Sequence, residues 1–496
     1  MIRLSRRTFL AASAAASAAA SAAVSATKFA PRAHAASHAT PTEIAIGTRI
    51  IEVKGKAAKV FGLLQPDGSQ GLAMNAGEHF RVRLKNECGE AALIHWHGLT
   101  PPNDQDGVPG VTQPPLPPGA RYEYDFAVAR PGTNWMHSHE TLQEQSLMAA
   151  PLIVRDPKDA SRDEQEVVIL LHDFTFQPPE HILGGLAKGM SHDHSAVSPT
   201  ENPHAGHDMS GMDMSGMDMP AATMGTGTDL NDVSYDAFLA NDRTLDDPAV
   251  VRVEKSQRVR LRIINAASAT NFMVDLGPLS GSLTDVDGVP IVPVVGSRFP
   301  LAIAQRADVR FTLPAGQGAW PVLFQREGDT SLTGIILATK NGTVGKIADQ
   351  AHHAIGAIDR EASMLYQAAE PLLERPVDRA LTVDLTGSMM PYRWGIEGKA
   401  GMAHHGHIPV REGERVELTL TNRTQMSHPM HLHGHHFQIV AVNGARVKGA
   451  VRDTELVPAG GSVTLAFDAG NPGKWMFHCH NLYHMRSGMM TQVLYL

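Results

Sequence analysis

The chain has 496 residues, of which 43% are hydrophobic and 5% aromatic, with 45 glycines and 32 prolines. This length exceeds one ordinary core and indicates about three domains, while the glycine and proline punctuation favours short β-strands over long helices. The net charge of −8 argues against a nucleic-acid partner, and beyond the N-terminus no apolar run reaches the roughly 18 residues that a membrane span needs.

The N-terminus has the features of an export signal. Residues 1–35 contain Arg6 and Arg7 in the stretch SRRTFL, then an alanine-rich apolar run, then the small-residue sequence AHA. This order is typical of a twin-arginine signal peptide, which a receptor reads and a peptidase removes. We therefore expect export to the periplasm and no membrane contact after cleavage, with an uncleaved membrane anchor as the alternative.

Three strand-like stretches share one pattern. FRVRLKN at 80–86, VRLRIIN at 259–265 and VELTLTN at 416–422 place apolar residues at alternate positions and end in asparagine. A period of two is typical of half-buried β-strands, and its recurrence along the chain indicates a repeated domain. The expected Greek-key β-domains are 42–156, 163–345 and 380–496, with a partly helical connector at 346–379.

Four histidine pairs of the form HxH lie at matching positions of the first and third repeats, and the second repeat has none at those positions. In an extended segment, residues i and i+2 project to the same side, so each pair offers two imidazoles to one place. Chance placement among 26 histidines is the alternative. Four pairs at matching positions of two repeats instead predict convergence on one metal cluster. The eight candidate ligands are His95, His97, His137, His139, His431, His433, His478 and His480.

Cys479 lies between two of these histidines, in the sequence HCH. If His478 and His480 face one side of a strand, the thiol faces the other side and can bind a second metal while staying covalently joined to both neighbours. Two histidines, a thiolate and a weakly bound methionine are typical of a blue-copper electron-transfer site. A disulfide with Cys88 would consume this thiolate, so we expect both cysteines to stay unpaired. The candidate ligands of this second site are His428, Cys479, His484 and Met489, with a core residue as the alternative for Met489.

Together these motifs resemble those of the three-domain multicopper oxidases, across nearly the whole chain after the signal. The resemblance implies an all-β fold of three consecutive cupredoxin-like domains and four copper ions: one of type 1, one of type 2 and two of type 3. The type 1 ligands would be His428, Cys479, His484 and Met489; the type 2 ligands His95 and His431; and the type 3 ligands His97, His137, His139, His433, His478 and His480.

The same resemblance implies an activity. A multicopper oxidase takes single electrons from a reductant and reduces O2 to water, so Cys479 would be the residue through which electrons pass to the cluster. Asp106, in NDQDGVPG shortly after HWHG, matches an acid that helps to deliver protons in the family. A turn aspartate before glycine is the alternative for this residue.

Residues 190–224 form a low-complexity tract rich in methionine and histidine, with a repeated GMDMS unit. Few of its residues could pack in a core, and thioether sulfur prefers Cu(I). Similar inserts occur in periplasmic copper-resistance and cuprous oxidases, so the resemblance implies a copper-collecting tract, with a plain spacer as the alternative. The acid that such oxidases carry four places before the first type 1 histidine is Thr424 here. Candidate ligands of substrate copper are Met426, Met209, Met212, Met214, Met217 and Met219.

We expect an oxidase that acts on Cu(I) or on small phenolic compounds and serves copper tolerance, as a monomer that uses O2. A general laccase-type phenol oxidase is one alternative, and a non-enzymatic copper-sequestering protein is another. A structural protein on the same fold is a third. The last two functions do not require a complete set of copper ligands, which this chain retains.

Overall fold

The computed structural model describes residues 40–189, 230–358, 364–398 and 406–496, and most of them lie in β-strands. The predicted signal peptide and the whole methionine-rich tract lie outside the described residues. The described strands form six sheets, two for each third of the chain. Buried apolar side chains from both sheets of each pair form one cluster. The prediction of an all-β fold with three consecutive cupredoxin-like domains is confirmed.

The first domain begins with a long hairpin and ends with a buried strand. Its strands are β1 Thr42–Val53, β2 Lys56–Leu64, β3 Leu72–Asn75, β4 His79–Asn86, β5 Ile94–His95, β6 Arg121–Ala127, β7 Gly132–Ser138 and β8 Ala149–Arg155. One sheet has the order β2-β1-β4-β6 and the other the order β3-β8-β7-β5. The alternation in β4 buries Phe80, Val82 and Leu84 between these sheets, as the sequence pattern predicts.

The second domain consists of a six-stranded sheet, a five-stranded sheet and one helix. Its strands are β9 Glu164–Phe174, β10 Ala237–Ala240, β11 Ala249–Arg252, β12 Arg258–Asn265, β13 Phe272–Asp275, β14 Gly281–Val286, β15 Val289–Gly296, β16 Arg298–Leu301, β17 Arg306–Thr312, β18 Ala319–Arg326 and β19 Leu332–Ala338, and its helix is α1 Pro179–Ala187. The sheets have the orders β10-β9-β12-β17-β14-β15 and β11-β19-β18-β13-β16. Helix α1 buries Ile182 and Leu186 against the core of the third domain.

The third domain contains the second short helix. Its elements are β20 Arg379–Met389, β21 Tyr392–Gly398, β22 Ile408–Val410, β23 Arg415–Asn422, β24 His428–Leu432, β25 Phe437–Val442, β26 Ala445–Arg446, β27 Val451–Arg452, β28 Thr454–Val457, β29 Ser462–Asp468, β30 Lys474–Cys479, α2 Leu482–Arg486 and β31 Met490–Tyr495. One sheet follows the order β21-β20-β23-β29-β25-β26, with β27 paired to β25, and the other follows β22-β31-β30-β24-β28.

The three predicted repeats occupy equivalent places in the three domains. Strands β4, β12 and β23 each run parallel to the first strand of their domain. The asparagine that ends each strand is buried, donates from Nδ2 to two carbonyls of following loops, and accepts from the backbone N–H two residues later. These residues are Asn86, Asn265 and Asn422. The repeated asparagine therefore ties the end of a core strand to the loops beside it.

The connector between the second and third domains is extended or turn in its described part, apart from Met364. The prediction of partial helix rests on residues 362–376, and among the described residues of that stretch only Met364 is helical. The connector is attached to the edge strand β15, since Val292 donates its backbone N–H to the Gln367 carbonyl at 2.8 Å. Within the described ranges, no helix is long and apolar enough to cross a membrane.

Candidate metal centre

His428, Cys479 and His484 come together at one end of the third domain. His428 begins β24, Cys479 ends β30 and His484 lies in α2. The two imidazole Nδ1 atoms are 3.0 Å apart, and Cys479 Sγ is 3.8 Å from His428 Nδ1 and 3.7 Å from His484 Nδ1. All three side chains are fully buried. Two nitrogens and one sulfur therefore converge on a single point that an ion can occupy.

Met489 lies beside this triad. Its carbonyl accepts a hydrogen bond from the Cys479 backbone N–H at 3.0 Å, and its side chain is buried in the same apolar cluster as Cys479. Burial raises the pKa of the Cys479 thiol. A thiolate at this position consequently needs a cation close by to replace the proton, as a bound metal does.

The outer nitrogens of the two triad imidazoles have polar partners. Thr424 Oγ1 is 2.7 Å from His428 Nε2, and Asp232 Oδ2 is 2.8 Å from His484 Nε2. Tyr392 donates its hydroxyl to the same Asp232 oxygen at 2.6 Å. Although burial acts to raise the pKa of Asp232, its contacts with His484 and Tyr392 lower it below the ordinary value. Asp232 is therefore a carboxylate that holds His484 with Nδ1 directed towards the triad.

Aromatic rings cover this end of the triad. The Trp394 ring lies 4.1 Å from the His484 ring and 5.2 Å from the His428 ring. Trp394 and Tyr392 belong to β21, and both are buried. The imidazoles of His428 and His484 consequently present no exposed edge in this structure.

The four histidine pairs converge between the first and third domains. In the first domain His95 is opposite His137 across β5 and β7, and in the third His431 is opposite His478 across β24 and β30. The two HxHG segments interleave, because the His95 ring stacks on His433 at 3.8 Å and the His97 ring stacks on His431 at 3.7 Å. All eight predicted cluster residues are therefore brought together, and each is buried: His95, His97, His137, His139, His431, His433, His478 and His480.

Within the cluster, ligand atoms form groups of three suited to one ion each. The Nε2 atom of His478 is 3.3 Å from that of His139 and 3.0 Å from that of His433. The Nδ1 atoms of His478 and His433 bond oxygens, so the protons of these two rings lie on Nδ1 and their Nε2 atoms present lone pairs. A cation between the three Nε2 atoms would be coordinated by all of them. The other groups are His97 with His137 and His480, and His95 with His97 and His431.

Five ring nitrogens of the cluster lack a hydrogen-bond partner, whereas several nitrogens on the opposite sides of the rings are hydrogen-bonded. Among the described residues, no hydrogen-bond partner exists for Nε2 of His95, His137, His431 and His480 or for Nδ1 of His97. On the opposite side, His95 Nδ1 bonds the Asp106 carbonyl, His431 Nδ1 bonds the Asp453 carbonyl, and His478 Nδ1 bonds the Cys479 carbonyl, all at 2.9 Å. Such anchoring selects one tautomer and directs the free lone pair inward. These residues fit bound metal ions.

Burial also keeps the cluster imidazoles neutral. It lowers the pKa well below the ordinary value for six of them, which are His97, His137, His139, His433, His478 and His480. Proximity of the imidazoles to one another lowers these pKa values further. Neutral imidazole is the form that binds metal, so the cluster is ready for a cation at neutral pH.

Asp106 lies within the cluster and not only in a surface turn. It is fully buried, and its Oδ2 is 2.9 Å from His433 Nδ1 while its Oδ1 is 3.2 Å from His95 Nδ1. The following Gly107 has φ +84, and a Cβ there would meet the Ile94 carbonyl oxygen. Asp106 therefore lies in a turn before glycine, and this turn brings its carboxylate to the two histidines.

Three acids near these sites were not anticipated from the sequence. They are Glu144, whose Oε2 is 2.9 Å from His137 Nδ1; Asp453, whose Oδ1 is 3.1 Å from His97 Nε2; and Asp232. Burial raises the pKa of Glu144 well above its ordinary value. Glu144 follows HSH by only five residues, which is a signal that the sequence could have provided. Asp453 and Asp232 have no comparable local signal.

The predicted substrate ligands are not assembled in the described structure. Met426 is 5% exposed and lies in the apolar cluster of the third domain. The five methionines of the tract, Met209, Met212, Met214, Met217 and Met219, lie outside the described residues. Both cysteines are free, as expected, and Cys88 Sγ lies 3.1 Å from Asn86 Oδ1.

Comparisons with known proteins match this architecture. Profiles described as multicopper oxidase match residues 68–159, 199–344 and 374–496. The multicopper oxidase MmcO of Mycobacterium tuberculosis is 30% identical over 429 residues, which are 86% of this chain and 81% of that protein. Copper resistance protein A of Escherichia coli is 25% identical, over 99% of each chain. The crystal structure of a Botrytis aclada laccase superposes with a TM-score of 0.70 at 21% identity, over 92% of this chain and 89% of that one. The chain belongs to the multicopper oxidase family of oxidoreductases.

Proposed function

We propose that this protein is an exported copper oxidase that couples four one-electron oxidations of Cu(I) to the reduction of O2 to water, in copper tolerance. The observation that carries the proposal is the position of Cys479. Its thiol belongs to the mononuclear triad, while its chain neighbours His478 and His480 belong to the eight-imidazole cluster. A site that accepts single electrons is thus joined by one residue to a site that can hold several metal ions.

We assign four copper ions to these residues. The type 1 ligands are His428, Cys479, His484 and Met489; the type 2 ligands are His95 and His431; and the type 3 ligands are His97, His137, His139, His433, His478 and His480. Bound copper would supply one-electron oxidation at the first site and dioxygen reduction at the others. The free inward nitrogens support the assignment.

The surrounding residues have separate roles in the proposal. Thr424 and Asp232 hold the outer nitrogens of the type 1 imidazoles. Asp106 holds His433 and lies beside His95, so it is placed to deliver protons to the cluster without leaving its position. The fully buried surroundings exclude bulk water from both sites.

Two features support Cu(I) over bulky phenols as the reductant. Trp394 and Tyr392 cover the type 1 imidazoles, so an aromatic ring has no exposed imidazole edge to contact. Relatives over nearly the whole chain are named copper resistance protein A. The similarity to laccases supports a phenol oxidase as the second candidate.

Oxygen uptake by the copper-loaded protein tests the choice of reductant. We expect faster uptake with Cu(I) than with a dimethoxyphenol, and deletion of residues 190–224 should remove that preference. In Trp394→Ala the exposed imidazole edge should raise kcat/KM for the phenol by on the order of tenfold. Trp394→Phe keeps a covering ring and serves as the control.

Each outcome of this test is informative. A wild-type protein that prefers the phenol would establish the laccase-type alternative. If copper binds but O2 is not consumed with either reductant, the protein is a sequestering protein. An unchanged Cu(I) preference after the deletion would make the tract a spacer.

The location is part of the proposal and rests on the twin-arginine sequence. Copper toxicity and O2 meet in the periplasm, and a protein exported in the folded state can carry a complete set of buried ligands. Replacement of Arg6 and Arg7 by lysine should leave the protein in the cytoplasmic fraction. Recovery of this variant from the periplasm would contradict the assigned route.

A further inference from the structure

The second domain contributes none of the proposed copper ligands, yet its Arg306 bonds Asp453, an acid that contacts the eight-imidazole cluster. Arg306 begins β17 and is fully buried. Its five N–H groups have five acceptors: Nε donates to the Thr133 carbonyl at 3.0 Å, Nη1 to the Ala304 carbonyl at 3.0 Å and Asp453 Oδ1 at 2.8 Å, and Nη2 to the Asp287 carbonyl at 3.1 Å and Asp453 Oδ2 at 2.5 Å. This one guanidinium therefore joins all three domains.

Asp453 carries this contact to the imidazole cluster. Its Oδ1 is 3.1 Å from His97 Nε2, and its carbonyl oxygen is 2.9 Å from His431 Nδ1. These two imidazoles come from the first and third domains and stack at 3.7 Å with an angle of 14° between their planes. Because Arg306 binds both carboxylate oxygens of Asp453, it determines the plane of the group that orients His97.

The backbone around Arg306 is shaped to receive the guanidinium. Asp287 and Ala304 both have positive φ, +49 and +67, a conformation that costs about 1 kcal/mol for such residues, and both direct their carbonyls to Arg306. Gly98, which follows His97, has φ +92, and a Cβ there would lie 2.7 Å from Arg306 Nη2. The chain therefore accepts backbone strain on two sides of this side chain and leaves space on a third.

We propose that Arg306 is a positioning residue for the eight-imidazole copper cluster, as Asp232 of the same domain is for the type 1 ligand His484. It acts through Asp453 on His97 and His431, so all three domains are needed for a correctly oriented cluster. The inference rests on the proposed assignment of His97 and His431 as copper ligands.

Lysine cannot replace arginine in this arrangement. An ammonium group has three donors on a single atom, so it cannot bind both Asp453 oxygens in a fork and also reach three carbonyls. Arg306→Lys keeps the charge that Asp453 needs but loses the fixed geometry. The Arg306→Lys variant therefore distinguishes the role of Arg306 in orienting Asp453 from its role in balancing the Asp453 charge.

The test measures copper in the purified, reconstituted protein and not only its activity. In Arg306→Lys we expect cluster copper to be removed at roughly 10–100-fold lower chelator concentration than in the wild type. The type 2 EPR signal should broaden or disappear, while the blue absorption of the type 1 site is retained as an internal reference. Arg262→Lys is the matched control, because Arg262 is equally buried, bonds Thr133 of the first domain and Asp308 of its own domain, and has no bond to Asp453.

Wild-type chelator resistance and a wild-type EPR spectrum in Arg306→Lys would overturn the inference. Equal copper loss in Arg262→Lys would also overturn it, since the effect would then reflect domain packing. If Arg306→Lys does not fold, Arg306→Met combined with Asp453→Asn removes both buried charges, and the same copper loss is expected. A wild-type protein without cluster copper would refute the proposed function instead.

Discussion

At Thr424 a single hydroxyl serves two neighbours. Thr424 Oγ1 donates to Asn422 Oδ1 at 2.8 Å and lies 2.7 Å from His428 Nε2. Cys88 has the equivalent position after Asn86, and its Sγ lies 3.1 Å from Asn86 Oδ1. Position 424 is thus a turn position that also touches a proposed type 1 ligand.

The two cysteines provide a matched pair for testing the type 1 site. In Cys479→Ser a hydroxyl replaces the thiolate, so type 1 copper, blue colour and oxidase activity should all be lost while cluster copper remains. Cys88→Ser should change none of these, because Cys88 is not a proposed ligand and its Sγ bonds Asn86 and Glu90 of its own turn. Copper analysis with visible and EPR spectra measures both variants. Blue colour in Cys479→Ser would contradict the assignment.

Glu144 offers a second test at this scale. Its carboxylate lies 2.9 Å from His137 Nδ1 of the first domain and 3.7 Å from His480 Nδ1 of the third domain, so it contacts one imidazole of each of these two domains. Glu144→Ala should weaken cluster copper binding roughly 10–100-fold, and Glu144→Gln should weaken it less because the amide oxygen still accepts a hydrogen bond. Glu140→Ala in the same loop is the control. Metal competition assays would show the difference, and equal affinities in all variants would exclude the role.

Among the elements, the strand that ends in asparagine is the unit repeated in each domain. Its alternating apolar residues fill the core, and its last residue bonds two loops and a turn. The hairpin of β20 and β21 has a further role in the third domain, because its Trp394 and Tyr392 cover the imidazoles of the proposed type 1 site. A common framework thus carries one specialised addition near the site.

The repeated asparagine should have a measurable effect on stability. Asn86→Ala removes three hydrogen bonds of a buried side chain, two from Nδ2 and one to Oδ1, at a cost of about 3 kcal/mol in the free energy of unfolding. Asn75→Ala, which removes one exposed hydrogen bond from Nδ2 to Glu78, should cost less than about 1 kcal/mol. Urea unfolding compares the two. Similar values for both variants would contradict the structural role of the turn.

In the molecule as a whole, the first and third domains share the cluster and the second domain locks them together. The stacked pairs of His95 with His433 and His97 with His431 cross the interface between the first and third domains. Arg306 of the second domain bonds Thr133 of the first and Asp453 of the third. Assembly of the cluster therefore depends on the folding of the entire chain after the N-terminal segment.

This buried cluster predicts the pH dependence of the copper-free protein. Six imidazoles have pKa values that burial lowers well below 6.5, so the unfolded chain binds more protons than the folded chain as pH falls through 6.5. Stability is complete above that pH and should decrease by about 1.4 kcal/mol per pH unit for each imidazole below it. Acids whose pKa burial raises act in the opposite direction; they are Glu144, Asp173, Asp285, Asp287 and Glu455, and the shift is largest for Glu144.

Urea unfolding of the copper-free protein between about pH 8 and pH 5 measures this dependence. The slope gives the number of protons taken up on unfolding and should exceed two. Copper saturation should flatten the curve in the upper part of this range, because metal competes with protons for the same nitrogens. A slope near zero without copper would contradict neutral buried imidazoles.

The sequence by itself determined the repeat, the fold class and the pairing of the histidines that form the cluster. Alternation with a period of two predicts strands wherever one face is buried, and HxH spacing places two imidazoles on one side of such a strand. Asn86, Asn265 and Asn422 mark the same strand end in each domain for a local reason, since each bonds its own loops. Local geometry was sufficient for all of these predictions.

Only the tertiary structure decided which groups hold those ligands in place. Arg306, Asp453 and Asp232 are far from their partners along the chain, so no spacing rule connects them. The covering of His484 by Trp394 likewise depends on the packing of a hairpin from another part of the domain. Ligand type follows from short-range chain geometry, whereas ligand orientation follows from contacts between domains, which become defined only when the three cores pack together.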